Sequence, residues 1–205
     1  PLAGSIPSFS TEAKYKAEIQ EMLDVLEYYN CNAVIFHIRI MNDALYPSEL
    51  NPRSGYLNTS LDMLPYVIDE CHKRGIEFHA WMNPYRISST GVSDLDALAS
   101  TFPSNNIASN KANYLATSGG VILDPGLPEV RDFIVDTCME VVEKYDVDAI
   151  HFDDYFYISG VDDSATRAKY NTSNLSTDNF RRLQVDLFME QLHDEITKYN
   201  EENNA

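Results

Sequence analysis

Asp146-Val147-Asp148-Ala149-Ile150-His151-Phe152-Asp153-Asp154-Tyr155-Phe156-Tyr157 is the stretch whose residue types and spacing are best suited to chemistry. A short apolar run ends in two adjacent carboxylates and a cluster of aromatic rings. Cleavage of a sugar linkage needs a pair of carboxyl groups flanking the scissile bond. Flat rings with a polar edge are good platforms for a sugar. Two further apolar segments repeat the theme. Residues two apart in a strand share a face. In Ala33–Ile40 the residues Val34, Phe36, Ile38 and Ile40 then form an apolar face, with His37 and Arg39 opposite. In Glu77–Asn83 the apolar face is Phe78, Ala80 and Met82, with His79, Trp81 and Asn83 opposite. In Ala149–Asp153 it is Ile150 and Phe152, with Ala149, His151 and Asp153 opposite. The three segments share the form His-x-(polar or aromatic): His37-x-Arg39, His79-x-Trp81 and His151-x-Asp153.

The elements that must position these residues alternate along the chain. Ser10 is the expected cap of a helix whose face is Tyr15, Ile19, Met22, Leu23 and Leu26. A second helix carries Leu64, Val67, Ile68 and Cys71, with Lys73 and Arg74 in its last turn and Gly75 closing it. Asn42 to Ser60 is long for a connection and is a candidate functional loop. Ser88 to Gly120 is polar and irregular, with one short helix around Ser93 to Ser100. Val121–Asp124 is a short strand, and Pro128 opens a helix with the stripe Val130, Phe133, Ile134, Cys138, Val141 and Tyr145. Asp178 to Tyr199 is a final helix.

Strands apolar on both faces and alternating with helices imply a parallel sheet covered by helices, an α/β fold. Polar residues on the inner face, near the carboxyl ends of the strands, fit a TIM-type (β/α) barrel with its site at that end. Only about four strands are recognisable, against eight in a full barrel. A partial barrel as one domain is therefore expected. Its exposed edges would favour a homodimer, which its mass in solution would report.

Composition bounds the rest. The chain has 205 residues, 44% of them hydrophobic, enough for a sizeable core. Its net charge of −17, from 15 basic and 32 acidic residues, disfavours nucleic acid and anionic membranes and suits a neutral or cationic ligand. No segment is apolar and long enough to cross a membrane. Pro1-Leu2-Ala3-Gly4-Ser5 reads as a processing remnant rather than a signal peptide. Cys31, Cys71 and Cys138 are far apart, and buried free thiols are expected. Asn58, Asn171 and Asn174 begin glycosylation sequons. Asp162-Asp163 reads as a solvated loop rather than a calcium site.

The same residues carry a resemblance. His37-Ile-Arg-Ile, Asp43-Ala-Leu-Tyr-Pro-Ser48, His72-Lys-Arg-Gly75, His79-Ala-Trp-Met-Asn-Pro-Tyr-Arg86, Asp124-Pro-Gly-Leu-Pro-Glu-Val-Arg-Asp132 and Tyr145 to Tyr157 run in family order. In them the chain resembles the glycosyl hydrolase-like 10 family, bacterial β/α-barrel proteins of glycosidase type. The resemblance implies a carbohydrate ligand and an extracellular or cell-envelope location. The loop after Leu57 is shorter than the family pattern. The candidate catalytic residues are Asp153, as nucleophile or electrostatic stabiliser held by Arg39, and Asp154. Candidate substrate contacts are Arg39, Asp43, Tyr46, His79, Trp81, Asn83, Tyr85, Arg86, Asp124, His151, Tyr155 and Tyr157. No cofactor is expected. Two other readings stand beside glycoside hydrolysis: a metal-dependent hydrolase using His37, His79, His151 and Asp153, and a non-catalytic glycan-binding half-barrel.

Overall fold

In the computed structural model, which describes residues 11–57, 61–153 and 156–203, Thr11 starts the first helix. Its side chain accepts the Lys14 amide at 3.2 Å, and Glu12 in the first turn suits the helix dipole. Ser10, the expected cap, lies outside the described residues. This helix, α1 (Glu12–Tyr28), buries Tyr15, Ile19 and Leu23 at a four-residue spacing. It is followed by Asn30 in the left-handed region.

The chain forms two compact units. The first comprises residues through Met82 together with Glu143–Phe152. It holds α1, the strand β1 (Ala33–Arg39), the helix α2 (Leu64–Lys73) and the strand β2 (Glu77–Met82). The strands join β6 (Ala149–His151) in a parallel sheet of order β1-β2-β6. Pro65 opens α2 and Gly75, at φ 68°, follows its end. Val67, Ile68 and Cys71 of α2 are buried, and α2 packs on β2. On one sheet face Phe78, Ala80 and Met82 have at most 1% of their surface exposed, and Phe36 lies 5.5 Å from Phe78. Burying one such ring stabilises by about 1.5–3 kcal/mol. The ion pairs from Lys73 and Lys16 are solvent-exposed and screened, and they add little. The apolar face therefore outweighs them in fixing the helices on the sheet.

Strand starts are tied by polar contacts. The Glu77 amide donates to Asn32 O at 2.9 Å, and the Asp148 carboxylate accepts the Phe78 amide at 2.7 Å and meets His72 Nε2 at 2.9 Å. At the other end the ladder is irregular. His37 pairs with Trp81, but Arg39 pairs with Met82, so β1 has one extra residue there. The Leu45 amide takes Ile38 O at 2.9 Å. The two-residue alternation expected for His37-x-Arg39 therefore breaks at Ile38. Strand β6 ends at His151, short of the expected Asp153, so alternation does not assign Asp153 a face.

The second unit comprises Asn83–Val142 and the residues from Asp153 onward. It contains β3 (Arg86–Ser88), α3 (Leu95–Ala99), β4 (Tyr114–Thr117), β5 (Gly120–Leu123), α4 (Pro128–Lys144, through Val142 in this unit), α5 (Ser164–Tyr170) and α6 (Thr177–Asn203). The strands form an antiparallel sheet of order β3-β5-β4. This corrects two expectations. Val121–Asp124 is not a fourth parallel strand; its residues 121–123 belong to the antiparallel sheet, and the parallel sheet has three strands among the described residues. Ser88 to Gly120 is not irregular throughout, because a two-residue turn at Ser118-Gly119 closes a β4–β5 hairpin. Helix α6 buries Phe180, Gln184, Phe188 and Leu192 at a four-residue spacing. Cys71 and Cys138 are buried free thiols as expected, whereas Cys31 is exposed.

Among the described residues no helix is long and apolar enough to cross a membrane. The Asp148 contacts set a pH dependence. Burial raises this carboxyl's pKa, but the Phe78 amide and His72 outweigh it and hold the value below the ordinary 3.8, with His79 adding to them. A lowered carboxyl pKa contributes stability that is complete above the unfolded value and lost as pH falls through the folded one. The stability gap between wild type and Asp148→Asn, read from urea midpoints, should be present at pH 5. It should shrink as pH falls below 3.8. A gap that does not change with pH would show that Asp146 and the other neighbours, not this carboxylate, hold His72.

Candidate functional site

In the first unit the register brings three candidate residues into one row. His37, Trp81 and His151 are direct partners across β1, β2 and β6. The His37 and Trp81 rings stack with centroids 3.9 Å apart and planes 9° apart. His151 meets Trp81 edge-on at 6.3 Å and 88°. All three are half-buried, on the face opposite Phe78 and Ala80. His37, His79 and His151 do not share a level. His79 lies one layer lower, in register with Ile35 and Ala149, and its Nε2 is 3.0 Å from Glu77 Oε2. Trp81 thus stands between two imidazoles. Among the described residues no group of three His, Cys, Asp or Glu is placed to hold a metal ion.

Above this row lies the folded loop after β1. Arg39 is 1% exposed and its Nη2 donates to Asn42 Oδ1 at 2.5 Å and Asn51 Oδ1 at 3.4 Å. Ser48 Oγ accepts the Asn51 amide at 2.9 Å. Asp43 accepts the Met41 amide at 3.0 Å, and Tyr46 is fully buried, 5.8 Å edge-on from Tyr145. Asp43 and Tyr46 therefore order this loop.

In the second unit Asp153 is exposed. Asp154 and Tyr155 lie outside the described residues. Asn83 is buried, and Arg86 is half-buried in β3. Tyr85 is fully buried with its ring edge-on to Phe156 at 6.5 Å and Phe188 at 5.9 Å. Asp124, 3% exposed, accepts the Gly126 amide at 2.9 Å and the Thr166 hydroxyl. Burial pushes its carboxyl up, the Thr166 and Gly126 hydrogen bonds pull it down, and the nearby Asp163 charge raises it further; the net direction is upward. These contacts use Asp124 to tie the Pro125-Gly126 turn to α5. Tyr157 is half-buried, and burial together with the charges of Asp124 and Asp163 raises its pKa far above that of a free phenol. It therefore stays protonated.

Sequence reasoning missed Asp163 and Arg181. Asp163 is not part of a solvated loop: it is 1% exposed and accepts from Arg167 Nε at 3.0 Å and from both Arg181 Nε and Nη2 at 2.9 Å. Asp162 alone fits the solvated reading, accepting the Ser164 amide. The four-residue spacing of Asp163 and Arg167 was the available signal. The Asn171 amide is engaged on both sides by the backbone of Leu175.

The chain is similar to known proteins over most of its length. The Glycosyl hydrolase-like 10 family model matches residues 8–204. Glycosyl hydrolase YngK of Bacillus subtilis is 39% identical over 194 residues, covering 88% of this chain and 37% of that protein. Glycosyl hydrolase DigH of Escherichia coli is 34% identical over 200 residues, covering 89% and 45%. The chain thus spans less than half the length of the curated relatives it matches. Among solved structures, α-L-fucosidase isoenzyme 2 from Paenibacillus thiaminolyticus superposes with a TM-score of 0.60 at 19% identity, covering 88% of this chain and 27% of that one. That likeness concerns the fold, which is of the TIM-barrel type; among the described residues this chain has a partial sheet and no closed barrel.

The Asp124 turn gives a direct test. A Cβ on Gly126 would come within 2.6 Å of Thr166 Cγ2, 3.2 Å of Asp124 Oδ1 and 3.3 Å of Phe180 Cε1. Gly126→Ala should cost about 1–3 kcal/mol in chemical denaturation, the range for overpacking a filled interior. An unchanged midpoint would show that the turn adjusts freely.

Proposed function

We propose a function from one premise: this chain belongs to the Glycosyl hydrolase-like 10 family. The family supports a glycosidase-like role on carbohydrate. The finer reading is hydrolysis of an O-glycosidic bond with Asp153 as a catalytic carboxylate, either nucleophile or electrostatic stabiliser, and Asp154 as the second candidate. The observation that supports a carbohydrate ligand is the His37–Trp81–His151 row of the first unit. A half-buried indole with its neighbouring imidazoles, on the sheet face opposite Phe78 and Ala80, offers a rigid apolar platform with polar edges, suited to the ring of a neutral sugar. The net charge of −17 also suits a neutral ligand. Asn83 and Arg86 remain candidates for sugar hydroxyls.

The test is cleavage of cellopentaose, chitopentaose and maltopentaose, followed by product chromatography. Wild type should cleave at least one of them, and Asp153→Asn should lower the rate at least about 100-fold, as loss of a catalytic acid, base or nucleophile does. Full activity in Asp153→Asn would remove Asp153 from the reaction. Binding without cleavage would favour the non-catalytic glycan-binding reading.

A further inference from the structure

We propose that Arg181 is a positioning residue for the loop that carries Asp153, holding it from α6 at three points. The described residues 156–163 of this segment lead to the start of α5. Along it the Arg181 guanidinium lies 5.1 Å from the Tyr157 ring centre, donates to Val161 O at 3.0 Å and forms a two-point pair with Asp163. Ring, carbonyl and carboxylate are thus gathered by one planar group.

The local chemistry favours this role over simple helix capping. Asp163 occupies the N-cap position of α5, where an aspartate ordinarily accepts a helix amide. Here its side chain makes no cap hydrogen bond, and the Ser164 amide goes to Asp162 instead. The Asp163 carboxylate turns inward to Arg181 and Arg167. Burying a carboxylate is costly, and its retention is better explained by fixing one conformation than by stability. Only a guanidinium has the fork to hold the carboxylate at two points while also reaching Val161. Burial raises the Asp163 pKa, but the two arginines more than offset it and keep the pair ionised.

The functional side of this inference rests on the reading of Asp153 as a catalytic carboxylate, so its test has two arms. In hydrogen exchange on this chain, Arg181→Lys and Asp163→Asn should each speed exchange of the Tyr157–Asp162 amides at least about tenfold, leaving α4 and β2 protected as in wild type. The double variant should add little to either single one, because both remove the same interaction. In cleavage of the pentasaccharide that wild type accepts, kcat should fall about tenfold or more with KM within about twofold, the pattern of a group that acts through geometry. Unchanged loop exchange would overturn the proposal. So would equal loosening of α4, which would mark a merely structural residue, or a loosened loop with unchanged kcat. Failure of wild type to cleave any of the three sugars would count against the proposed function, and the exchange arm would then decide the role of Arg181 by itself.

Discussion

Register in the parallel sheet decides which side chains meet in the first unit. A shift of one residue in β2 would place Ala80 or Met82 between His37 and His151 and turn Trp81 to the opposite face. The observed register is held at the strand starts by hydrogen bonds. Asn32 O receives the Glu77 amide, and Asp148 receives the Phe78 amide while meeting His72. It is held from below by the filled face of Phe78, Ala80 and Met82. A slip would expose that face to water, at about 1.5–3 kcal/mol for each large side chain. The aromatic row is thus a consequence of packing on the opposite face.

The second unit depends on a different constraint. It buries two carboxylates, Asp124 and Asp163, and each must find donors. Asp124 takes a backbone amide and a hydroxyl, which leaves burial dominant and its carboxyl raised. Asp163 takes two guanidinium groups and is held ionised. These solutions give the two groups different mechanical roles. Asp124 closes a tight turn in which a side chain at position 126 would crowd Thr166, and Asp163 links the start of α5 to α6.

Helices α1, α2, α4 and α6 and the three parallel strands were legible because their apolar periodicity is strong and their ends carry recognisable signals, such as Pro128 at the start of α4 and Gly75 after α2, whereas α5 was not. The candidate residues on β2 were legible for the same reason. Their mutual arrangement was not, because neighbouring strands slide relative to one another and a sequence carries no register. The irregularity at Ile38 was equally hidden: it arises from the Leu45 amide, a tertiary contact. Strands β3 and β4 are three and four residues long and lack enough alternation to stand out, and β5 was legible as a strand but not in its antiparallel pairing. Arg181 was invisible because its three contacts span residues 157 to 163, and nothing local marks it among the charges of α6.

Trp81 is the single tryptophan of the chain, so its fluorescence reports on the row directly. Titration of the protein with cellopentaose, chitopentaose and maltopentaose tests the central claim that this row is a sugar-binding platform. The account predicts a saturable change in emission with at least one of them, weakened by about tenfold in affinity when His37→Ala removes the stacked neighbour. Emission that stays unchanged up to millimolar concentrations of all three sugars would contradict it.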